Sequence, residues 1–350
     1  MKKAHRAWLM PLIIAALFIS MFALMFGPMM NMKPHDLPVA AVMNDQGVDT
    51  PKGHQVAGEK VLDTMDEKFS ESGALKMEKV EDGEFNANDY FAVITIPEDF
   101  TKQMSSHHAT VDFKVNQGKN PMAAMQLQQM VTKIDMGDSG VVLKPDTYNS
   151  IDPKLGFAAN MIPTVLIMMT MVPSIVGGNL ASSSTRRWLQ PLLAALVAIF
   201  VGLAASAMIT WVTPLTDWNA HLALYLAVGS FCMGMLTIGA INLLGRSGLI
   251  LPVACVILGM STGMLPREFL PGFWSDFVWL WNPVHNLANG VRNILFLHQT
   301  WSGEAIGLLT IGGVGVILWA LSALRRTPAS MSKDDGTPSE DAAATPVAAQ

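Results

Sequence analysis

One apolar stretch (Ala7 to Met30), a long polar segment, and then five apolar stretches packed almost end to end between Gly156 and Leu324 leave this chain few ways to fold. Runs of this kind reach the ~20 residues that a helix needs to cross ~30 Å of hydrocarbon. In that medium every backbone polar group must find its partner inside the segment, so helices are the expected solution. With 51% hydrophobic and only 15% charged residues, the chain reads as an integral membrane protein. The layout predicts an α-helical integral membrane protein with six transmembrane helices and a small α/β extracytoplasmic domain inserted between helices 1 and 2. The expected spans lie near 8–29, 156–178, 189–213, 221–244, 248–265 and 304–324.

Lys2, Lys3 and Arg6 form a basic leader before the first run, as in a secretory signal. The run exceeds the usual 7–15-residue signal core, however, and Phe26-Gly27-Pro28-Met29-Met30 offers no small-x-small cleavage site, so residues 1–29 read as an uncleaved anchor. Short cytoplasmic loops are enriched in Lys and Arg. With the leader inside, Arg186, Arg187, Arg246, Arg325 and Arg326 all fall on the same side. This orientation leaves 30–155, the short Asp217 loop and the 266–303 connection outside and both termini in the cytoplasm. The tryptophans agree with it: Trp8, Trp188, Trp211, Trp218, Trp301 and Trp319 fall near span ends, and Trp274, Trp279 and Trp281 in the last outer connection. Indole rings favour the headgroup level.

Segment 30–155 reads as an α/β module. Leu37–Met43, Asp89–Ile96 and Thr110–Asn116 have strand character, and Gln55–Ser70 and Pro121–Ile134 suit helices, with Pro97 and Gly118 as breakers. It carries 12 Lys, no Arg and 20 acidic residues, a net charge of −8. That balance gives a solubilising surface, or alternatively a site for a cationic ligand. Cys232 and Cys255, the only cysteines, fall inside expected spans and read as small apolar core residues. Beyond Arg326, residues 327–350 have the Pro-, Ala- and acid-rich composition of a disordered cytoplasmic tail.

Sources of free energy and catalysis can be sought one by one. There is no G-x-x-x-x-G-K-[ST] phosphate loop; Gln117-Gly118-Lys119-Asn120 lacks the spacing and the hydroxyl. The interiors of spans two to six hold no Asp, Glu, Lys, Arg or His, which disfavours ion coupling; His221 and Glu304 lie at span ends. H-E-x-x-H, C-x-x-C and G-x-S-x-G are absent, and His107-His108 has no neighbouring third ligand. No catalytic, cofactor or metal residues are therefore assigned, and no nucleic-acid partner is expected.

What remains is a subunit that moves something while a separate protein supplies energy. The loop Asn179-Leu180-Ala181-Ser182-Ser183-Ser184-Thr185-Arg186-Arg187-Trp188 is the longest inner surface joining two spans, with Ser182, Ser183, Ser184, Thr185, Arg186, Arg187 and Trp188 as the candidate contact residues. It reads equally as an ATPase-coupling element and as an ordinary positive-inside loop. In the second span Met161, Pro163, Met168, Met169, Met171 and Pro173 combine helix-bending proline with adaptable methionine. Such a face can line a pathway for a hydrophobic or lipid-like substrate, or simply fill gaps in the core. The 266–303 connection breaks into short amphipathic pieces around Pro271, Trp274, Trp281 and Pro283 that should lie at or re-enter the outer interface. Arg292, which follows, is expected to hold the outer headgroup layer.

Three stretches resemble the ABC-2-type transporter permeases, in particular the YhgE/Pip (phage infection protein) branch. They are Leu37-Pro38-Val39-Ala40-Ala41-Val42-Met43-Asn44-Asp45-Gln46-Gly47, Tyr90-Phe91-Ala92-Val93-Ile94-Thr95-Ile96-Pro97-Glu98-Asp99-Phe100 with Gly83-Glu84-Phe85 before it, and the Leu270-Pro271, Pro283 and Gly290-Val291-Arg292 pattern. The resemblance implies an exporter permease in the bacterial cytoplasmic membrane. It also implies a second six-helix permease as partner, as a homodimer or heterodimer, and a cytoplasmic ABC ATPase subunit that uses the ATP. Membrane lipids complete the expected partners. By the same resemblance, the 179–188 loop would include the coupling element and 266–303 the outer re-entrant helices. A reading of a different class is a surface receptor or envelope scaffold whose outer domain binds a partner.

Overall fold

The computed structural model describes residues 15–16, 19–51, 53–106, 109–132, 141–156, 158–213, 218–299 and 303–324. The basic leader, Trp8, His107-His108, the Asp217 loop, Trp301, Arg325, Arg326 and the 327–350 tail lie outside the described residues. The rest is mostly helical, with four helical stretches long and apolar enough to cross a membrane and a small α/β region toward the N-terminus.

Helix α1 (Ile19–Met30) leads into that α/β region. There follow β1 (Leu37–Met43), the hairpin β2 (Val48–Thr50) and β3 (Gly53–Gln55), α2 (Ala57–Ser72), β4 (Leu75–Val80), β5 (Ala92–Ile96), α3 (Phe100–Ser105), β6 (Ala109–Asn116), α4 (Pro121–Val131) and β7 (Val141–Tyr148). The sheet order is β4-β1-β5-β6-β7, with β5 and β6 antiparallel and the other neighbours parallel. Period-2 alternation sends Val39, Ala41, Ile94, Ile96, Val111 and Phe113 to one face, where Leu62 and Met65 of α2, Phe100 of α3 and Leu127 of α4 cover them. Ala40, Val42 and Val93 face the other way, under Phe85, Tyr90 and Tyr148.

The strands expected from sequence are present as β1, β5 and β6, and the two expected helices as α2 and α4. The edge strands β4 and β7 carry weaker patterns, because much of each is exposed and β7 contains Pro145. A proline that removes a ladder donor is tolerated at a sheet edge.

The helical part comprises α5 (Ala158–Ser182), α6 (Leu189–Val212), α7 (Ala220–Leu244), a 3₁₀ turn (Gly245–Leu249) and α8 (Ile250–Met264). A second 3₁₀ turn (Arg267–Phe269), a π-helical turn (Phe273–Val278) running into α9 (Trp279–Trp281), α10 (Pro283–Phe296) and α11 (Glu304–Leu324) complete it. Ala220–Met264 forms one apolar helical stretch of 45 residues, yet it is not a rod. A straight helix of that length would span about 68 Å. Instead both its ends touch α10: Tyr225 Oη donates to the Asn286 carbonyl at 2.8 Å, and Arg292 Nη2 to the Gly263 carbonyl at 2.7 Å. The chain reverses at Gly245, whose φ of 70° suits glycine, and α7 and α8 form a hairpin. At 15 residues α8 is shorter than an ordinary span.

Small residues let the bundle helices approach closely. A Cβ at Gly239 of α7 would collide with the Gly315 carbonyl of α11, and one at Gly315 with the Leu236 amide. Close backbone approach through such residues is the packing mode of helices in lipid. Ser174 and Ser230 add a hydroxyl pair at 2.6 Å between α5 and α7.

The α/β region is seated on the bundle. Leu265, Phe269 and Leu270, from the chain after α8, belong to the same buried cluster as Ile94 and Phe113, and Met29, Met32, Trp274 and Trp279 pack against it. The His35 amide donates to the Glu268 carbonyl at 2.9 Å. Asn120 holds two structures at once: its Oδ1 caps α4 through the Met122 and Ala123 amides, and its Nδ2 donates to the Met264 carbonyl at 3.3 Å.

Candidate functional site

Where α8 ends, the chain turns back along it. Asn282 Nδ2 donates to the Cys255 carbonyl at 2.7 Å, which lies nine residues before the end of α8, about 13 Å at 1.5 Å per residue. Asn282 Oδ1 then caps α10 through the Val284 amide, with Pro283 in the first turn. From there α10 climbs until Arg292 reaches the Gly263 and Met264 carbonyls. Val284, Leu287, Ala288, Val291 and Ile294 bury its apolar side in the bundle. His285, Asn286, Asn289 and Asn293 form a polar stripe on another side.

That stripe borders a cleft beneath the α/β region. A cavity of about 270 Å³ is lined by Asn88, Asp89, Phe91, Lys119, Asn120, Pro266, Arg267, Glu268, Trp279, Asn289, Asn293, Leu297, Gln299 and Glu304. A second hollow of about 440 Å³ shares Asp89, Trp279, Asn289, Asn293, Gln299 and Glu304 with it and extends to His285 and Asn286. The two are parts of one polar cleft, walled by the 88–91 and 119–120 segments of the α/β region on one side and by α10 and the start of α11 on the other.

The charges in the cleft are unequally occupied. Lys119 Nζ donates to the Asn88 carbonyl at 3.3 Å and to that of Asp89, and lies 4.7 Å from the Phe91 ring centroid. Burial pushes its ammonium below the ordinary lysine value, against the pull of Glu268, Asp89 and Glu304. Arg267 is turned to the Ser275 carbonyl at 3.1 Å and Asp276 at 3.9 Å. Glu304 accepts from Asn293 Nδ2 at 3.3 Å. Among the described residues no group of three His, Cys, Asp or Glu is placed to hold a metal ion. The cleft offers hydrogen bonds and negative charge, which suit binding.

Arg292 does not meet a headgroup layer as the sequence leads one to expect. It is 3% exposed, with Nη2 on the two last carbonyls of α8 and Nη1 on Asn289 Oδ1 at 3.0 Å. Its charge is spent on the negative end of that helix. Pro271 starts the π-helical turn by accepting from the Trp274 and Ser275 amides. Trp274 packs on the α/β core and Trp281 on the bundle core.

The six residues of the Met-rich span do not share one face. Pro163 and Met171 are buried, Met161 is half-buried, and Met168 is exposed. Met169 and Pro173 come together in an apolar groove of about 430 Å³ against Leu196, Val197, Phe200 and Val201 of α6.

The 182–188 loop lies at the opposite end of the bundle from the cleft. Ser183, Thr185, Arg186 and Trp188 are exposed, whereas Ser182, Ser184 and Arg187 are half-buried. Arg187 Nη2 donates to the Ser322 carbonyl near the end of α11 at 2.9 Å. Gln190, 2% exposed, ties the loop to two further helices. Its Nε2 donates to the Ser182 and Ser184 carbonyls, and its Oε1 accepts from Asn242 Nδ2 at 2.7 Å and Trp319 Nε1 at 3.0 Å.

Sequence reading missed both the stripe on α10 and Gln190. The stripe had a signal in the i, i+4, i+8 spacing of His285, Asn289 and Asn293; Gln190 had none beyond being a polar residue next to an apolar run. No family model matches the chain, and neither a curated protein nor a solved structure matches it.

Proposed function

We propose that the chain is the membrane permease subunit of an ATP-driven, ABC-2-type exporter in the bacterial cytoplasmic membrane. In this reading α1, α5, α6, α7, α8 and α11 are its six spans, residues 30–155 lie outside, and both termini are cytoplasmic. A second six-helix permease completes the pathway, and a separate ABC ATPase supplies the energy for outward movement of a hydrophobic or lipid-like substrate. The observation that carries the reading is the placement of two unlike features at opposite ends of one bundle. An arginine-bearing loop fixed to α7 and α11 through Gln190 lies at one end, and a polar cleft at the other. A push on the loop would therefore reach α7, whose far end touches α10 through Tyr225.

Purification of the full chain from its native membrane in mild detergent tests this. An ABC ATPase is expected to accompany it, and Arg186→Glu to weaken that association while leaving the melting temperature unchanged, since Arg186 is exposed. Arg187 is a poorer probe, because its contact with Ser322 makes it part of the fold. Undiminished association in Arg186→Glu would remove the coupling assignment. Absence of any ATPase from the native complex would favour the receptor or scaffold reading.

A further inference from the structure

Buried at the start of α6, Gln190 has both donors and both acceptor positions of its amide filled. Its partners fix which way the amide points. Backbone carbonyls only accept and an indole N–H only donates, so Nε2 faces the Ser182 and Ser184 carbonyls and Oε1 faces Trp319. Asn242 Nδ2, on the same oxygen, is thereby a donor as well.

The two sides of the amide do different things. Its donors reach back six and eight residues and close the turn between α5 and α6. Its acceptor reaches Asn242 and Trp319, 52 and 129 residues away. One side chain therefore clips the α5–α6 hairpin to α7 and α11, which the Gly239 and Gly315 contacts already hold to each other. Arg187 on the Ser322 carbonyl is a second tie across the same line. Behind the clip lies a small apolar layer, separate from the larger bundle core, of Ala181, Ala194, Met235 and Ile238 with Trp319 packed against it. Ala194 is one turn along α6 from Gln190, and Ile238 one turn along α7 from Asn242. Two of the four buried members are alanines, so parting this layer exposes little apolar surface. The bonds of the clip, for their part, can be exchanged for bonds to water once water is admitted.

We propose that Gln190 is the latch of a seal at the loop end of the bundle. When its bonds to Asn242 and Trp319 break, the α5–α6 hairpin parts from α7 and α11 at that end, and the layer at Ala194 meets water. The latch rests on the permease reading, in which this end has to open; an anchor would have no use for it.

The test uses the full chain carrying Ala194→Cys in lipid nanodiscs, exposed to a water-soluble thiol reagent that reaches both faces. Peptide mass spectrometry reads the labelled site. Cys255, 2% exposed in the larger bundle core, is the internal control. Gln190→Met keeps the side-chain length and removes the polar atoms. It is expected to speed labelling at position 194 by about tenfold, which is what two interhelical hydrogen bonds of ordinary strength in a membrane amount to, and to leave Cys255 protected. Trp319→Phe removes one of the two bonds and should give about threefold, so it decides the matter if Gln190→Met fails to fold. Unchanged labelling at position 194 in a folded variant would overturn the latch. An equal rise at Cys255 would also overturn it, by making Gln190 a support of the whole bundle. The labelling needs no ATPase, so the two readings fail separately: absence of an ATPase from the native complex counts against the permease, and an undisturbed seal against the latch.

Discussion

In the α/β region the bulkiest side chains point inward: Phe100, Phe113, Leu37, Leu62 and Met65 are completely enclosed. In the bundle several point outward, with Phe200 72% and Ile306 71% exposed, while glycines and serines occupy the helix contacts. The difference is one of solvent. In water, burying large apolar surface drives folding. Among lipid tails that gain disappears, and helices associate through close backbone approach and hydroxyl pairs instead. One chain thus uses two packing rules, and the change falls between Leu155, where the last 3₁₀ turn of the polar segment ends, and Ala158, where α5 begins.

Substitutions that respect one rule and violate the other can break this comparison. The largest effect is expected from Gly315→Leu, whose side chain has no room between α11 and the α7 backbone at Leu236. It should abolish the monodisperse species on size-exclusion chromatography in detergent; a wild-type profile would refute the close packing of α7 on α11. Next comes Phe113→Ala, a truncation in a dry core expected to cost about 3–5 kcal/mol. Protease protection of the α/β region in the full chain should report it, with the bundle left assembled. The smallest effect depends on pH. Asp45 accepts from the amides of Gly47, Gly58 and Thr101 and from the Thr101 hydroxyl, tying the end of β1 to the starts of α2 and α3. Burial pushes its pKa up, but these bonds outweigh burial and hold it below the ordinary 3.8. Its contribution is therefore complete above that value and lost as pH falls through the lower folded value. Asp45→Asn should flatten the acid limb of the melting profile, and an unchanged limb would assign the acid sensitivity to other carboxylates.

Those elements whose signal is local were legible in the sequence. β1 lies where its alternation places it, and α11 coincides with the last apolar run at Glu304–Leu324. The edge strands β4 and β7 were not legible, because a strand half exposed to water has little hydrophobic pattern to show. Arg292 misled for another reason: in a sequence, an arginine beside a tryptophan-rich segment looks like an interfacial anchor, and nothing local announces that α8 ends against it. The cleft was the least legible feature. Lys119 meets the Asp89 carbonyl across 30 residues, and the neighbouring Asn120 reaches Met264 across 144. Only the folded chain creates such proximity.

The merging of the α/β core with Leu265, Phe269 and Leu270 limits how this molecule can be divided. A fragment cut at residues 30 and 155 would leave part of its own interior behind and present the resulting apolar scar to water. An exchange of outer regions between related chains would have to carry the 265–270 strip as well. The part that looks most like a detachable module in the linear map is, in three dimensions, completed by a strip encoded more than a hundred residues downstream.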